Sequence, residues 1–328
     1  MNTQMTESSQ GRRFDVVVVG GGAAGLSAAL TLSRARRSVL VIDSGKPRNA
    51  PAAHAHNYLG REGISPLELL ATGRTEVTGY GGEIRDGSVL SAERLAEGHF
   101  RVVLADGSAV ESRRLLVATG VVDELPDIPG MAERWGRDVL HCPYCHGWEV
   151  RDQPIGILAQ GPAAMHQALL WRQWTTDLTV FLNGSPELTD QEREQLAARQ
   201  IALVEGRVES LEVTDDGISG VRLHDGRTVA VRAVVVPPNA HARADVLVSL
   251  GLRTTSQQFG TQSIGTYVPA TDPTGATEVA GVWLAGNVTN LAEQVIGAAA
   301  AGVNTAAAIN ADLVTEDTRQ AVASRRSR

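Results

Sequence analysis

Cysteine is nearly absent from this 328-residue chain, which has only Cys142 and Cys145. That scarcity excludes a disulfide-stapled scaffold, and the two sulfurs alone fall short of a metal site, which needs about four converging ligands. Basic blocks are missing too, apart from a short Arg-rich end at 325 to 328. Thirty basic residues against thirty-seven acidic ones give a formal net charge of -7, so no electrostatic footprint for nucleic acid is present. No apolar run reaches the ~18 residues that would suggest a membrane span. The polar opening MNTQMTESSQGRR lacks the apolar stretch of a signal peptide. A cytoplasmic protein without nucleic-acid or membrane partners is expected. With 43% hydrophobic residues the chain can bury two cores, and two domains are expected.

What is present begins at residues 14 to 45, FDVVVVGGGAAGLSAALTLSRARRSVLVIDSG. An apolar strand, a glycine turn, an alanine-rich helix and a second strand ending in Asp43 make a complete βαβ dinucleotide fingerprint. Gly20 permits the tight turn, Gly22 lets the backbone approach a pyrophosphate, Gly25 allows close helix-to-strand packing, and Asp43 can take the ribose hydroxyls.

The pattern returns in damaged form at 154 to 183, with Ala159, Gln160 and Ala164 where Gly20, Gly21 and Gly25 stand in the first copy. Only Gly161 keeps its place, and the strand that should end in an acid ends in Leu182 and Asn183. A second echo pairs 104 to 120 with 223 to 239, each a D-G turn between short strands followed by an apolar strand. The first of these runs into Ala118, Thr119 and Gly120, small enough for backbone to lie against a cofactor. The second meets Pro237 and Pro238. The fold class is therefore α/β with two Rossmann-like dinucleotide-binding domains, one equipped to bind and one that keeps the fold without the grip. A third strand, turn and small-sided helix follows at 281 to 309.

Both cysteines fall in HCPYCHGWE, residues 141 to 149. Histidines adjacent to the cysteines in sequence point away from any centre the sulfurs share, so no metal is expected and a catalytic dithiol leads. Free cysteine has a pKa near ~8.5, so a working thiolate needs help. His146 or His141 can move the proton near neutral pH, although a solvated or packing histidine is an equal reading for His141. Pro143 stiffens the turn between the sulfurs. Trp148, Trp171 and Trp174 are candidates for a substrate pocket, with core the first expectation for Trp171.

Taken together, GGGAAG, ATG at 118 to 120, the C-x-x-C and AGN near the end resemble the low-molecular-weight thioredoxin reductase fold from about residue 13 to 313. RNAPAAHAHNYLG at 48 to 60, CPYCHGWE and the failed second fingerprint resemble the branch of flavin-dependent dithiol oxidases that close disulfides in small molecules such as gliotoxin and holomycin. The resemblance implies FAD, with its ribose on Asp43, its pyrophosphate over Gly21, Gly22, Ala23 and Ala24, and the loop from Ser44 through Arg48 and Asn49 following it. His56, Gly286, Asn287 and the Gln294 and Val295 backbone would face the ribityl chain and ring. Thioredoxin reductases usually carry Asp where Asn287 stands and Arg-Gln-Ala where Glu293, Gln294 and Val295 stand.

The same resemblance makes Cys145 the flavin-proximal sulfur and Cys142 the interchange sulfur, and puts His146 where thioredoxin reductases carry an acid/base aspartate. It implies a homodimer with an FAD domain at 13–124 and 242–315, a degenerate NAD(P)-type domain at 125–241, and flexible tails at 1–12 and 316–328. No arginine cluster for an NADPH 2'-phosphate follows the second strand of the degenerate domain, the nearest being Arg193. The expected activity is FAD-dependent oxidation of a small-molecule dithiol, with molecular oxygen as acceptor. An NADPH-driven thioredoxin reductase is the alternative within the fold. A flavin redox sensor or zinc-carrying regulator without turnover is the alternative from another class.

Overall fold

The computed structural model describes residues 13–161, 163–185 and 188–328; the expected tail at 1–12 lies outside them. The strand Arg13–Val19 is fully buried at Val16, Val17 and Val18, as a parallel strand covered on both faces should be. It pairs in parallel with Val39–Asp43 on one side and Ala109–Val117 on the other. Glu83–Asp86 extends the sheet beyond Val39–Asp43, and Val282–Leu284 adds a parallel strand to Ala109–Val117. An antiparallel hairpin, Val89–Arg94 and Phe100–Leu104, completes seven strands.

Residues 139–235 repeat this plan. The parallel order is Ala202–Val204, Leu178–Phe181, Ile155–Leu158, Ala233–Val235 and Val139–Leu140. The Ala159 N–H donates to Phe181 O at 2.8 Å just as the Gly20 N–H donates to Ile42 O at 2.8 Å. The duplication read from the sequence is thus present in backbone hydrogen bonding. Between the halves the chain crosses twice, on Val121–Glu124 and Asn239–Ala242, which pair antiparallel with Asp123 opposite Ala240. The hairpin Thr255–Phe259 and Gln262–Tyr267 adds two strands to this crossing sheet.

The small-sided segment packs helix on helix. Val295–Arg326 lies across Ala23–Arg34, and a Cβ on Gly302 would overlap the carbonyl of Ala24. This last helix continues to Arg326, which corrects the expectation of a flexible tail from 316. Its continuation is anchored by charge: Arg113 reaches Glu316 at 3.0 Å and Asp317 at 2.5 Å, Arg114 holds Asp312 and Glu316, and Arg37 meets Asp317 at 2.7 Å. Among the described residues no helix is long and apolar enough to cross a membrane.

Candidate active site

A cavity of about 930 Å3 runs from the first glycine turn to the dithiol. Gly20 sits at φ +104°, where a side chain would be strained and would also overlap the Ala118 carbonyl. A Cβ on Gly25 would overlap the Gly20 carbonyl, so this glycine serves helix-to-strand packing and does not line the cavity. At Gly22, by contrast, a Cβ would meet no protein atom within 4 Å. Gly22 also begins the helix Ala23–Arg34 without any side-chain cap, so the N–H groups of its first turn lack a capping side chain beside the cavity. Asp43 Oδ1 accepts the Gly21 N–H at 3.0 Å, and Oδ2 lies 3.5 Å from Arg74. These features fit a dinucleotide whose pyrophosphate rests on the turn and whose ribose lies near Asp43.

At the other end of the cavity, Cys142 precedes a single helical turn, Pro143–His146. Proline suits that first position because its missing N–H would have had no helical partner. The N–H groups of Cys145 and His146 both donate to Cys142 O at 3.2 Å, and the two sulfurs stand 2.7 Å apart. Cys142 has its pKa lowered to about 7, first by the S–H of Cys145, then by the N–H groups of Cys145 and Tyr144 and the positive charge of Arg48, all working against burial. Cys145 is pushed up by the same shared proton, by burial and by the adjacent Cys142 charge. In the reduced pair the shared proton therefore favours Cys145, and Cys142 is the sulfur that ionises more readily.

Burial lowers the pKa of both flanking histidines. The cation of Arg48 reinforces this at His141, whereas the carboxylate of Glu149 opposes it at His146. His146 has both ring nitrogens enclosed and without a hydrogen-bond partner, and His141 has its Nδ1 in that state. Both imidazoles are thus available as neutral bases. The loop 48–60 leans on this helix, with Asn57 Nδ2 donating to Tyr144 O at 2.6 Å. Arg48 grips Asp123 on the crossing strand through two bonds of 2.7 and 2.6 Å.

The second turn is filled by the chain itself. Gln262, from the crossing-sheet hairpin, lies so close over Gly161 that a Cβ there would overlap its carboxamide, and Phe259 packs its ring 5.9 Å from His166. Asn183, in the place of the ribose acid, accepts the Val208 N–H at 2.9 Å, and the Ser185 hydroxyl donates to Ala159 O at 2.9 Å.

These features describe one open dinucleotide turn joined to a dithiol and one closed turn. Residues 14–302 match the pyridine nucleotide-disulphide oxidoreductase family. The chain belongs to that family. The thioredoxin reductase aclD of Aspergillus oryzae is 34% identical over 288 residues, covering 84% of this chain and 88% of the relative. The thioredoxin reductase sirT of Leptosphaeria maculans is 31% identical over 313 residues, 90% of this chain and 93% of its own. The crystal structure of HlmI superposes with a TM-score of 0.88 at 47% identity, covering 98% of each chain. This pyridine nucleotide-disulphide oxidoreductase thus has the expected thioredoxin reductase-like α/β fold and is a flavin-dependent thiol/disulfide oxidoreductase.

The cavity brings together every site residue predicted from the sequence except Gly25. Arg48 and Asn287 are used differently from a simple cofactor contact. Arg48 is clamped by Asp123, and Asn287 turns its NH2 inward to Asn290 O and Glu293 O, each at 3.0 Å, folding the loop before the last helix. His56 lines the cavity while both its ring nitrogens face carboxylates, Glu62 at 2.6 Å and Glu149 at 3.4 Å. Trp171 is core, as expected, and neither Trp148 nor Trp174 lines the cavity, where Gln167 and Leu170 do. Asp123, Glu149, Glu62 and Gln262 were missed. The adjacent acids Asp123 and Glu124, directly after an apolar strand and the ATG turn, were the one available signal for Asp123.

Proposed function

We propose that this enzyme binds FAD on its first half and oxidises a small-molecule dithiol through Cys142 and Cys145, with oxygen as the final acceptor. One observation carries the direction of flow: the second dinucleotide turn is occupied by Gln262 and closed by Asn183 and Ser185, while the first is open and continuous with the dithiol. Without a seat for NAD(P)H, electrons enter from the thiol substrate.

In the oxidised enzyme, a substrate thiolate attacks Cys142 Sγ and the Cys142–Cys145 bond breaks, leaving Cys145 reduced. The second substrate thiolate then attacks the substrate sulfur of the mixed disulfide, releasing a cyclic or linear disulfide and Cys142 thiolate. Two electrons now rest on the pair as Cys142 thiolate and Cys145 thiol, the protonation state its electrostatics favour. To pass them on, Cys145 must lose its proton, and the adjacent residue His146, kept neutral by burial, is the base this reading assigns to take it. The chemistry supplied by FAD, once bound, is acceptance of that electron pair and its delivery to oxygen as hydrogen peroxide. The uncapped turn at Gly22 to Ala24, Asp43, and the small residues Ala118 to Gly120 would hold it.

Anaerobic mixing decides the direction. Excess dithiothreitol should bleach the flavin absorbance, NADPH should leave it for minutes, and air should restore it with peroxide in proportion. Rapid bleaching by NADPH would reverse the assignment.

A further inference from the structure

A lone helical turn does not hold itself, because it lies far below the length at which helices persist in water. The turn Pro143–His146, which carries Cys145 back toward Cys142, is such a turn. Its shape must be kept from outside, and Tyr144, between the two cysteines, is held at both ends. The ring stands edge-on to Trp174 at 5.7 Å, and the same indole packs so closely against Gly147 that a Cβ there would lie 2.9 Å from it. The Tyr144 carbonyl accepts an N–H of the Asn57 side chain at 2.6 Å.

Asn57 comes from the loop 48–60, in the other half of the chain. It sits at φ +60°, the left-handed region that most side chains avoid and asparagine tolerates. Glu62 fixes that conformation: its Oε2 accepts the Asn57 N–H at 2.8 Å, while Oε1 meets His56 Nδ1 at 2.6 Å. The loop is closed behind them by the Ala55 N–H on Ile64 O at 2.8 Å and the Gly63 N–H on Ala55 O at 3.0 Å. A left-handed residue so firmly braced has the direction of its side chain set by the loop. Because a peptide group is planar, gripping Tyr144 O also fixes the N–H at the far end of that group, which belongs to Cys145. That N–H donates to Cys142 O at 3.2 Å. One line of hydrogen bonds thus runs from the Asn57 amide through the Tyr144–Cys145 peptide to Cys142.

We propose that Asn57 is a positioning residue for the dithiol, holding the Tyr144–Cys145 peptide so that the reduced pair is already arranged for closure. The inference rests on the pair cycling between dithiol and disulfide. On closing, two S–H bonds give way to one S–S bond, and two electrons and two protons leave the pair. With the turn ordered beforehand, the new bond does not have to order it. Asn57 acts through the peptide between the sulfurs.

The test sets the FAD-loaded enzyme, without oxygen, against mixtures of reduced and oxidised glutathione. Each pair that closes converts one oxidised glutathione into two reduced ones, and acid quenching followed by alkylation and mass measurement counts the pairs still open. Asn57→Gly keeps the left-handed backbone and removes the donor, and Asn57→Asp keeps the size but turns an acceptor toward Tyr144 O. In both, the midpoint ratio of squared reduced to oxidised glutathione should fall about fivefold, the change in equilibrium constant that one hydrogen bond commonly carries. The bound flavin spectrum should be retained. A midpoint equal to wild type in Asn57→Gly would overturn the proposal even if thermal stability falls, since a bond that only braces the loop leaves the redox equilibrium where it was. A shift in the opposite direction would overturn it too. If the wild-type pair stays open in every mixture, the disulfide reading beneath the proposal falls instead.

Discussion

Removing Cys145 should cost Cys142 its low pKa. The first contributor to the lowered value of about 7 is the S–H that Cys145 turns toward Cys142 across 2.7 Å. A hydrogen bond to a charged group is worth roughly 1.5–3 kcal/mol, and 1.36 kcal/mol is one pH unit, so its loss should raise Cys142 by about one to two units. Cys145→Ala keeps the backbone N–H groups of residues 144 and 145 and the Arg48 charge, so the thiol should settle between about 8 and 9 and not above. With Cys142 then the sole cysteine, its iodoacetamide alkylation rate against pH in the FAD-loaded protein reads the value directly. In the fully reduced wild type the first alkylation should follow a midpoint near 7. A midpoint that stays near 7 in Cys145→Ala would show that the shared proton is not the cause, and would move the credit to the backbone and Arg48.

His146→Ala should lower dithiol turnover roughly 100-fold or more with FAD retained, as checked by steady-state kinetics and the bound flavin spectrum. Since burial lowers the His146 pKa, the wild-type rate should hold on the acid side down to below the usual histidine range, and that limb should vanish in the alanine variant. Ending the chain at residue 315 strips Glu316 and Asp317 from Arg113, Arg114 and Arg37. These arginines keep Asp15, Asp312 and Asn310, so the loss should be about 2 kcal/mol, below the full penalty for an orphaned charge. Thermal unfolding should fall by several degrees, and an unchanged midpoint would return this segment to the status of a tail.

The open turn was legible because its demands are local. Gly20 is demanded by its own positive φ and Gly25 by overlap with the Gly20 carbonyl five residues earlier, and an acid at the end of the next strand follows from the same βαβ geometry. The C-x-x-C was equally plain, since two cysteines and a proline in four positions leave few other roles. The plug over Gly161 was not legible: Gln262 is an unremarkable polar residue about a hundred positions away, and only the crossing sheet brings it there. The continuation of the last helix was hidden for the same reason. Its polar sequence has no apolar stripe, and its anchors, Arg113 and Arg114, lie on a strand two hundred residues earlier. Arg48 was noticed in the right loop for a different reason, because its partner Asp123 is set by the pairing of two connecting strands.

The turn 285–287, directly after the strand Val282–Leu284, and the start of the last helix line the cavity beside the glycine turn at residue 20. On the ribosome these pieces emerge at opposite ends of synthesis. The half inserted between them, with its own five-stranded sheet and buried core, has all its strands available by residue 235. Domains fold as units, earlier ones first. The cofactor seat of this chain therefore stays unfinished until residues 282–302 have been made and Gly302 can close on Ala24, so the half that carries the dithiol takes shape before the half that will receive its electrons, and flavin loading is a late event in the maturation of the protein.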